Sequence, residues 1–473
     1  MMTTNSMLNS YSRLFQYLIF VFGLFWSCSF SYSQDIIGQW NGKIILPNGS
    51  LSLVFHITKT ANEYSATLDS PDQGVTGIAT ASTTFENSVL TIDIPAIQAS
   101  YKGEVNVDGK IQGIFTQGMP LPLNLEKGEF TQNRPQEPKA PFPYLIEDVQ
   151  FRNKAAGITL AGTLTLPLKG EKHPVVVLVT GSGGHNRDEE LMGHKPFWVI
   201  ADYLTRKGIA VLRYDDRGIG QSEGDFKAAI TTDFATDAEA ALDYLKTRKE
   251  IDASKMGLLG HSEGGTVAFI LAAKNQDVAY VVSMAGTGIK GDSIILKQAE
   301  LLMKANGMSD LAWKEQEPVL QNRYALLTQN KNREDIRKEL YEEVTKTIPT
   351  RMLEDENTKR QIDAEIEAMT SPWYIEFLKY DPTSDLKQIT CPVFAINGER
   401  DIQVTAEMNL SAIESAIKSN GNKNIEVKKY PGLNHLFQHC ETCLITEYSQ
   451  IEETISPEVL QDMADWLLRV VNR

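Results

Sequence analysis

The stretch KMGLLGHSEGGTVAFILAA, residues 255–273, passes from an apolar run through a Gly-x-Ser-x-Gly into small and apolar residues of helical length. Read as strand, sharp turn and helix, it raises Ser262 at the top of a sheet. Gly260 and Gly264 remove the side chains such a turn cannot hold. A second Gly-x-Ser-x-Gly, in GIGQSEGD at 218–225, lacks both flanks: the strand before it ends at Tyr214 and YDDRGIG intervenes as a loop. Context therefore selects Ser262 as the candidate nucleophile and makes Ser222 a loop residue.

Outward from this stretch, VVVLVT (175–180), IAVLRYD, VAYVVSMAG, CPVFAINGE and IEVKKY alternate with amphipathic segments near 196–207, 233–248, 406–419 and 457–471. Continuous Val/Ile/Leu runs between helices indicate strands buried on both faces of a mostly parallel sheet, so the fold class is α/β. The long segment between VVSMAG and CPVFAINGE, which includes REDIRKELYEEVTK, has helical periodicity and dense mixed charge. A helical cap over roughly 288–385 fits it better than a structureless loop of that length.

A serine hydroxyl attacks only when a base takes its proton, and a histidine oriented by a carboxylate is the usual base. On such a sheet the chain order is Ser, acid, His. Of seven histidines, only His435 and His439 lie far enough beyond Ser262. His435, in PGLNHLF between a strand and the last helix, has the expected position; His439 reads as a helix-face or cysteine-adjacent residue. In NGERDIQV, Asp401 lies in the loop proper and is the expected acid, with Glu399 at the strand exit as its rival. The oxyanion needs two fixed donors. The amide of Glu263 is one, and that of Ser182 in GSGG (181–184) the other, with Gly183 the second choice.

Taken together, GSGGHNRDE, RYDDRGIGQSEGD, GHSEGG, NGERDIQV and PGLNHLF resemble the α/β-hydrolase superfamily. More narrowly they are similar to exported bacterial esterases of the serine-aminopeptidase-like group that carry a small lipocalin-like N-terminal domain. The resemblance covers 145–473 well and 35–130 more loosely. It implies an α/β-hydrolase fold with Ser262, Asp401 and His435 as the triad, and a structural role for the loop holding Ser222. GTGIKG (286–291) also fits a dinucleotide fingerprint, but a helical insertion follows where the next strand and its acid should stand. No cofactor is expected.

Residues 35–130 alternate apolar and polar positions in short runs between turns such as PNG, PDQG and VDG, which predicts a small antiparallel barrel or sandwich. Its GQW (38–40) resembles a lipocalin first strand or is simply a core tryptophan. The four prolines of TQNRPQEPKAPFPY (131–144) mark a linker before the hydrolase domain at 145–473. Residues 1–33, with Arg13 and the apolar YLIFVFGLFW, read as a signal peptide, so the protein is expected to be exported, periplasmic or extracellular. FWS before Cys28 is a poor lipobox, and no stable membrane insertion is expected. The acidic balance, 61 Asp and Glu against 46 Lys and Arg, excludes a nucleic-acid partner.

Cys440 and Cys443 in HCETC suggest a local disulfide, since a metal site needs two further ligands that the sequence does not offer. Cys391 reads as an inert thiol. The expected activity is cleavage of small-molecule carboxylic esters, with short acyl chains. The alternatives are an aminopeptidase-like serine peptidase and an inert ligand-binding protein. Oligomeric state is not legible.

Overall fold

A computed structural model describes residues 35–46, 49–61, 63–346 and 348–473; the expected signal peptide and Cys28 lie outside these residues. Two compact units are distinguished: the described part of Met1–Asp69 with Thr76–Phe130, and Ser70–Val75 with Thr131–Arg473.

The alternating N-terminal runs form β1 (Gly38–Leu46), β2 (Gly49–Thr60), β3 (Glu63–Ser70), β4 (Val75–Ala79), β5 (Ser82–Glu86), β6 (Val89–Ile94), β7 (Ala99–Val105), β8 (Ile111–Gln117), β9 (Met119–Pro122) and β10 (Glu126–Lys127). Neighbours run in the order β10-β1-β2-β3-β5-β6-β7-β8-β9, with β4 on β3. After β9 the chain turns back, so that Ile111 and Leu125 exchange backbone hydrogen bonds of 2.9 and 2.8 Å while β10 pairs with β1. These contacts close the sheet into a barrel. Its inside is filled by Trp40, Phe55, Leu68, Ile92, Tyr101 and Phe115 among others. The Trp40 indole is buried and donates to the Ile36 carbonyl at 2.7 Å, so it serves as a core residue.

The second unit is built on β11 (Tyr144–Asn153), β12 (Ile158–Pro167), β13 (His173–Val179), β14 (Ala210–Tyr214), β15 (Ile251–His261), β16 (Tyr280–Met284), β17 (Val393–Gly398) and β18 (Ile425–Tyr430), in the order β11-β12-β14-β13-β15-β16-β17-β18. β11, β12 and β14 pair antiparallel, and every pairing from β14 to β18 is parallel. This is the α/β class expected. The period of two along β13 splits its valines between the two faces. Val175, Val177 and Val179 pack under helices Thr231–Lys246, Glu263–Lys274 and Ala406–Ser419; Val176 and Leu178 pack under Pro196–Arg206 and Pro457–Val471. Each such fully buried side chain contributes roughly 1.5–3 kcal/mol, which is why these runs carry no polar alternation.

β13 is followed in sequence by β14 on one side, whereas its other neighbour is β15. The loops leaving β13 and β15 therefore diverge, opening a crevice at their carboxyl ends, the place where open α/β sheets hold ligands.

Between β16 and β17 lies a helical insertion running from Gly291–Ala305 to Thr383–Leu386, with its own core around Trp313, Leu320, Tyr324, Leu340, Ile366 and Leu378. Near its two ends the chain closes on itself: the Gly291 amide donates to the Tyr380 carbonyl at 3.0 Å. A Cβ on Gly291 would lie 1.7 Å from the Phe377 carbonyl oxygen, so only glycine permits that approach.

Candidate active site

β15 enters the helix Glu263–Lys274 with no intervening loop, and Ser262 at the junction has φ 52° and ψ −118°. A positive φ costs a residue with a side chain on the order of 1–3 kcal/mol, so surrounding structure must impose it. Here Ser262 N–H donates to the Met284 carbonyl at 2.8 Å, and Gly265 N–H to the Ser262 carbonyl at 2.9 Å. A Cβ on Gly260 would lie 2.0 Å from the Gly264 oxygen, and one on Gly264 would lie 2.1 Å from the Val179 oxygen. Both glycines are thus required by the turn. The first amides of the helix, Glu263 among them, have no intrahelical acceptor.

His435 follows β18 and is buried. Its Nδ1 lies 2.7 Å from Asp401 Oδ2. The other carboxylate oxygen of Asp401 accepts the Gln403 and Val404 amides at 2.8 and 2.9 Å, and Asn397 Nδ2 ties off the same loop by donating to the Val404 carbonyl at 2.7 Å. An acceptor at Nδ1 places the ring proton there and leaves Nε2 to take a proton. Glu399, the rival acid, is exposed and lies 3.6 Å from Lys429 Nζ. His439 is exposed and paired with Glu453 at 2.8 Å.

Ser262, His435, Ser182 and Glu263 line one cavity of about 260 Å³, together with the apolar side chains Ile294, Trp373, Phe377 and Leu436. Asp401 stands behind His435. The Gly181 amide donates to Glu189 Oε1 at 2.7 Å and so is committed elsewhere. Ser182 and Glu263 are the two oxyanion-donor candidates at the cavity wall, and Gly183 does not line it.

The YDDRG segment anchors the loop that carries Ser182. Asp216 accepts from Thr180 Oγ1 at 2.7 Å and from the His185 amide at 2.8 Å, gripping both ends of the loop. Burial lifts its carboxyl to about 7, with both hydrogen bonds opposing the rise. Asp215 accepts from Arg187 Nη2 at 2.7 Å and from the Gln221 amide at 3.0 Å. Ser222 Oγ accepts the Ala161 amide at 2.9 Å and donates to the Asp215 carbonyl at 2.7 Å, stitching this loop to β12.

The Glu263 side chain is also buried. Its Oε1 accepts from Thr231 Oγ1 at 2.6 Å and from the Trp373 indole at 2.8 Å, which links the turn to the cap. Burial raises its pKa, and these donors with Ser182 partly offset the rise. The sequence offered no sign of Trp373, because a cap tryptophan at helical spacing reads as core. Nor did it single out His261 and Glu189, which pair at 3.0 Å and are among the residues lining the same cavity.

GTGIKG leads from β16 into the cap, with Gly288 hydrogen-bonded and packed against Asn409. Cys440 and Cys443 are joined in a disulfide. Cys391 is half-buried with a free thiol that burial pushes up to about 12. Among the described residues no cluster of three or more His, Cys, Asp or Glu could hold a metal ion, and no helix is long and apolar enough to cross a membrane.

The chain is 26% identical over 329 residues to Esterase EstD of Thermotoga maritima, covering 69% of this chain and 70% of that protein. It is 33% identical over 148 residues to Esterase FrsA of Serratia proteamaculans, covering 31% and 33%. A solved structure of the Pyrococcus furiosus esterase Pf2001 aligns with a TM-score of 0.43 at 16% identity, covering 73% of this chain and 99% of that one. The family described as serine aminopeptidase, S33 (Hydrolase_4) matches residues 171–441, more than half of the chain. This chain is a hydrolase and belongs to that family.

Proposed function

We propose that this hydrolase is a serine esterase acting on small-molecule carboxylic esters through an acyl-enzyme. Ser262 attacks the carbonyl carbon while His435 Nε2 takes its proton. The amides of Glu263 and Ser182 hold the oxyanion, and Asp401 orients the ring and stabilises the imidazolium. The proton then passes to the departing alkoxide, and water repeats the sequence to release the acid. The observation that carries the reading is the 2.7 Å His435–Asp401 bond in the wall of the cavity that also holds a serine at positive φ. A cavity of about 260 Å³ favours short acyl groups. The N-terminal segment supports an exported enzyme.

The test is labelling by a fluorophosphonate probe with peptide mapping, alongside turnover of a short-chain aryl ester. Ser262→Ala is expected to abolish the label and to lower kcat by on the order of 10³ or more. Ser222→Ala is expected to keep both. No labelled serine in a folded sample would overturn the reading and favour the inert ligand-binding alternative.

One observation favours a second reading. Glu263 lines the cavity, and its buried Oε1 accepts from two neutral donors, Thr231 and Trp373, so a substrate ammonium would supply a charge that holds this carboxyl ionised. Faster turnover of an aminoacyl amide than of the aryl ester would establish the peptidase instead.

A further inference from the structure

We propose that His261 and Glu189 are positioning residues, a buried imidazolium–carboxylate pair that fixes the base loop and the oxyanion loop around the nucleophile. The inference rests on the reading of Ser262 and His435 given above.

His261 is the last residue of β15 and immediately precedes Ser262; its side chain is 7% exposed. Nδ1 lies 3.0 Å from Glu189 Oε1, and Nε2 lies 3.1 Å from the main-chain oxygen of His435. Both partners only accept. A neutral imidazole has one N–H and would turn a lone pair toward one of these oxygens, so satisfying both requires a proton on each nitrogen. Burial alone would discharge His261, but the Glu189 charge and hydrogen bond, the His435 carbonyl and the more distant Asp401 together raise its pKa. Burial likewise opposes ionisation of Glu189, and His261, His185 and the Gly181 amide overcome it. An ion pair this deep persists only where both partners are held on several sides.

The placement connects three segments that approach the crevice separately. Glu189 Oε1 accepts the Gly181 amide, one residue before the oxyanion candidate Ser182. His261 sets the start of the serine turn. Its Nε2 holds the backbone of His435, and the two rings lie 4.9 Å apart. Glu189 has φ 50°, an unfavourable backbone for a glutamate, as expected where side-chain placement outweighs local preference. Neither residue lies within hydrogen-bonding reach of Asp401, so the pair acts on the site through backbone positions rather than through the triad bond.

The test combines kinetics with the protonation state of the full-length protein. His261→Gln retains one bond and removes the charge; Glu189→Gln leaves the histidine without a counter-ion. Each is expected to lower kcat and the fluorophosphonate labelling rate about 10–100-fold with KM within about twofold, since a displacement near 1 Å is enough for that loss. The double variant is expected to lose less than the product of the two singles, because it leaves no unpaired buried charge. In the unaltered protein, ¹⁵N NMR of the imidazole rings is expected to show both His261 nitrogens protonated at pH 8. A single protonated nitrogen there, or wild-type kcat and labelling in a folded His261→Gln, would overturn the proposal. Wild-type labelling of His435→Ala would instead overturn the underlying reading of the base.

Discussion

Ser222 and Ser262 occupy the same five-residue pattern, yet their hydroxyls have opposite surroundings. Ser222 Oγ is consumed by two backbone bonds, one of them satisfying the buried Ala161 amide. Ser222→Ala is expected to lower stability by about 1–3 kcal/mol, seen as a drop in denaturation midpoint, without loss of Ser262 labelling. Gly264→Ala would press a methyl group against the Val179 and Thr180 oxygens, 2.1 and 2.6 Å away. It is expected to cost more than about 4 kcal/mol or to prevent soluble expression, which thermal unfolding measures. Ser262, Asp401 and His435 could be named as candidates because the chemistry demands particular residue types in a fixed chain order, and the structure places Asp401 against His435 and lines one cavity with His435 and Ser262. The pairing of Glu189 with His261 was not legible, because nothing across a sequence separation of 72 signals which carboxylate a buried imidazole will meet.

The strands of the second unit were legible because burial on both faces leaves one composition open to them, and the helices between them because each must show one apolar stripe. The cap was legible only as a helical block. Its stripes pack on one another rather than on the sheet, so periodicity does not tell which side chains reach the cavity. Trp373, from Pro372–Lys379, reaches it by a polar atom, donating from Nε1 to Glu263 while its ring stacks 5.5 Å from Phe377. Trp373→Phe keeps the stacking and removes the donor. We expect a loss of about 1–3 kcal/mol in stability. A several-fold change in kcat/KM, varying across esters of different acyl length, should accompany it; steady-state kinetics on a graded ester series measures this.

Over the whole molecule, two buried groups give stability opposite slopes with pH. His194 is held at about 4 by burial and by Arg134, below its ordinary 6.5. As pH falls from 6.5 to 4 the unfolded chain takes up the proton first, so stability is lost, by roughly 3 kcal/mol. Asp216 is lifted from 3.8 to about 7, so the folded state keeps its proton longer and stability falls as pH rises through that window, by about 4 kcal/mol. The two largely cancel between pH 4 and 6.5. His194→Gln is expected to leave a stability that declines with rising pH, and Asp216→Asn one that rises, as urea titrations across pH would reveal. The junction of the cap ends has a consequence for how such a chain can be altered or can diverge. Because Gly291 and Tyr380, which lie on the two connections between the insertion and strands β16 and β17, are bonded to each other, everything between them is a cassette on a closed neck. Exchanging it for another helical segment, or for a short turn, imposes little added loop-closure entropy on β16 and β17. The helical block can therefore be exchanged while the connections of the sheet beneath it are kept, the Trp373–Glu263 bond being the contact such an exchange has to replace.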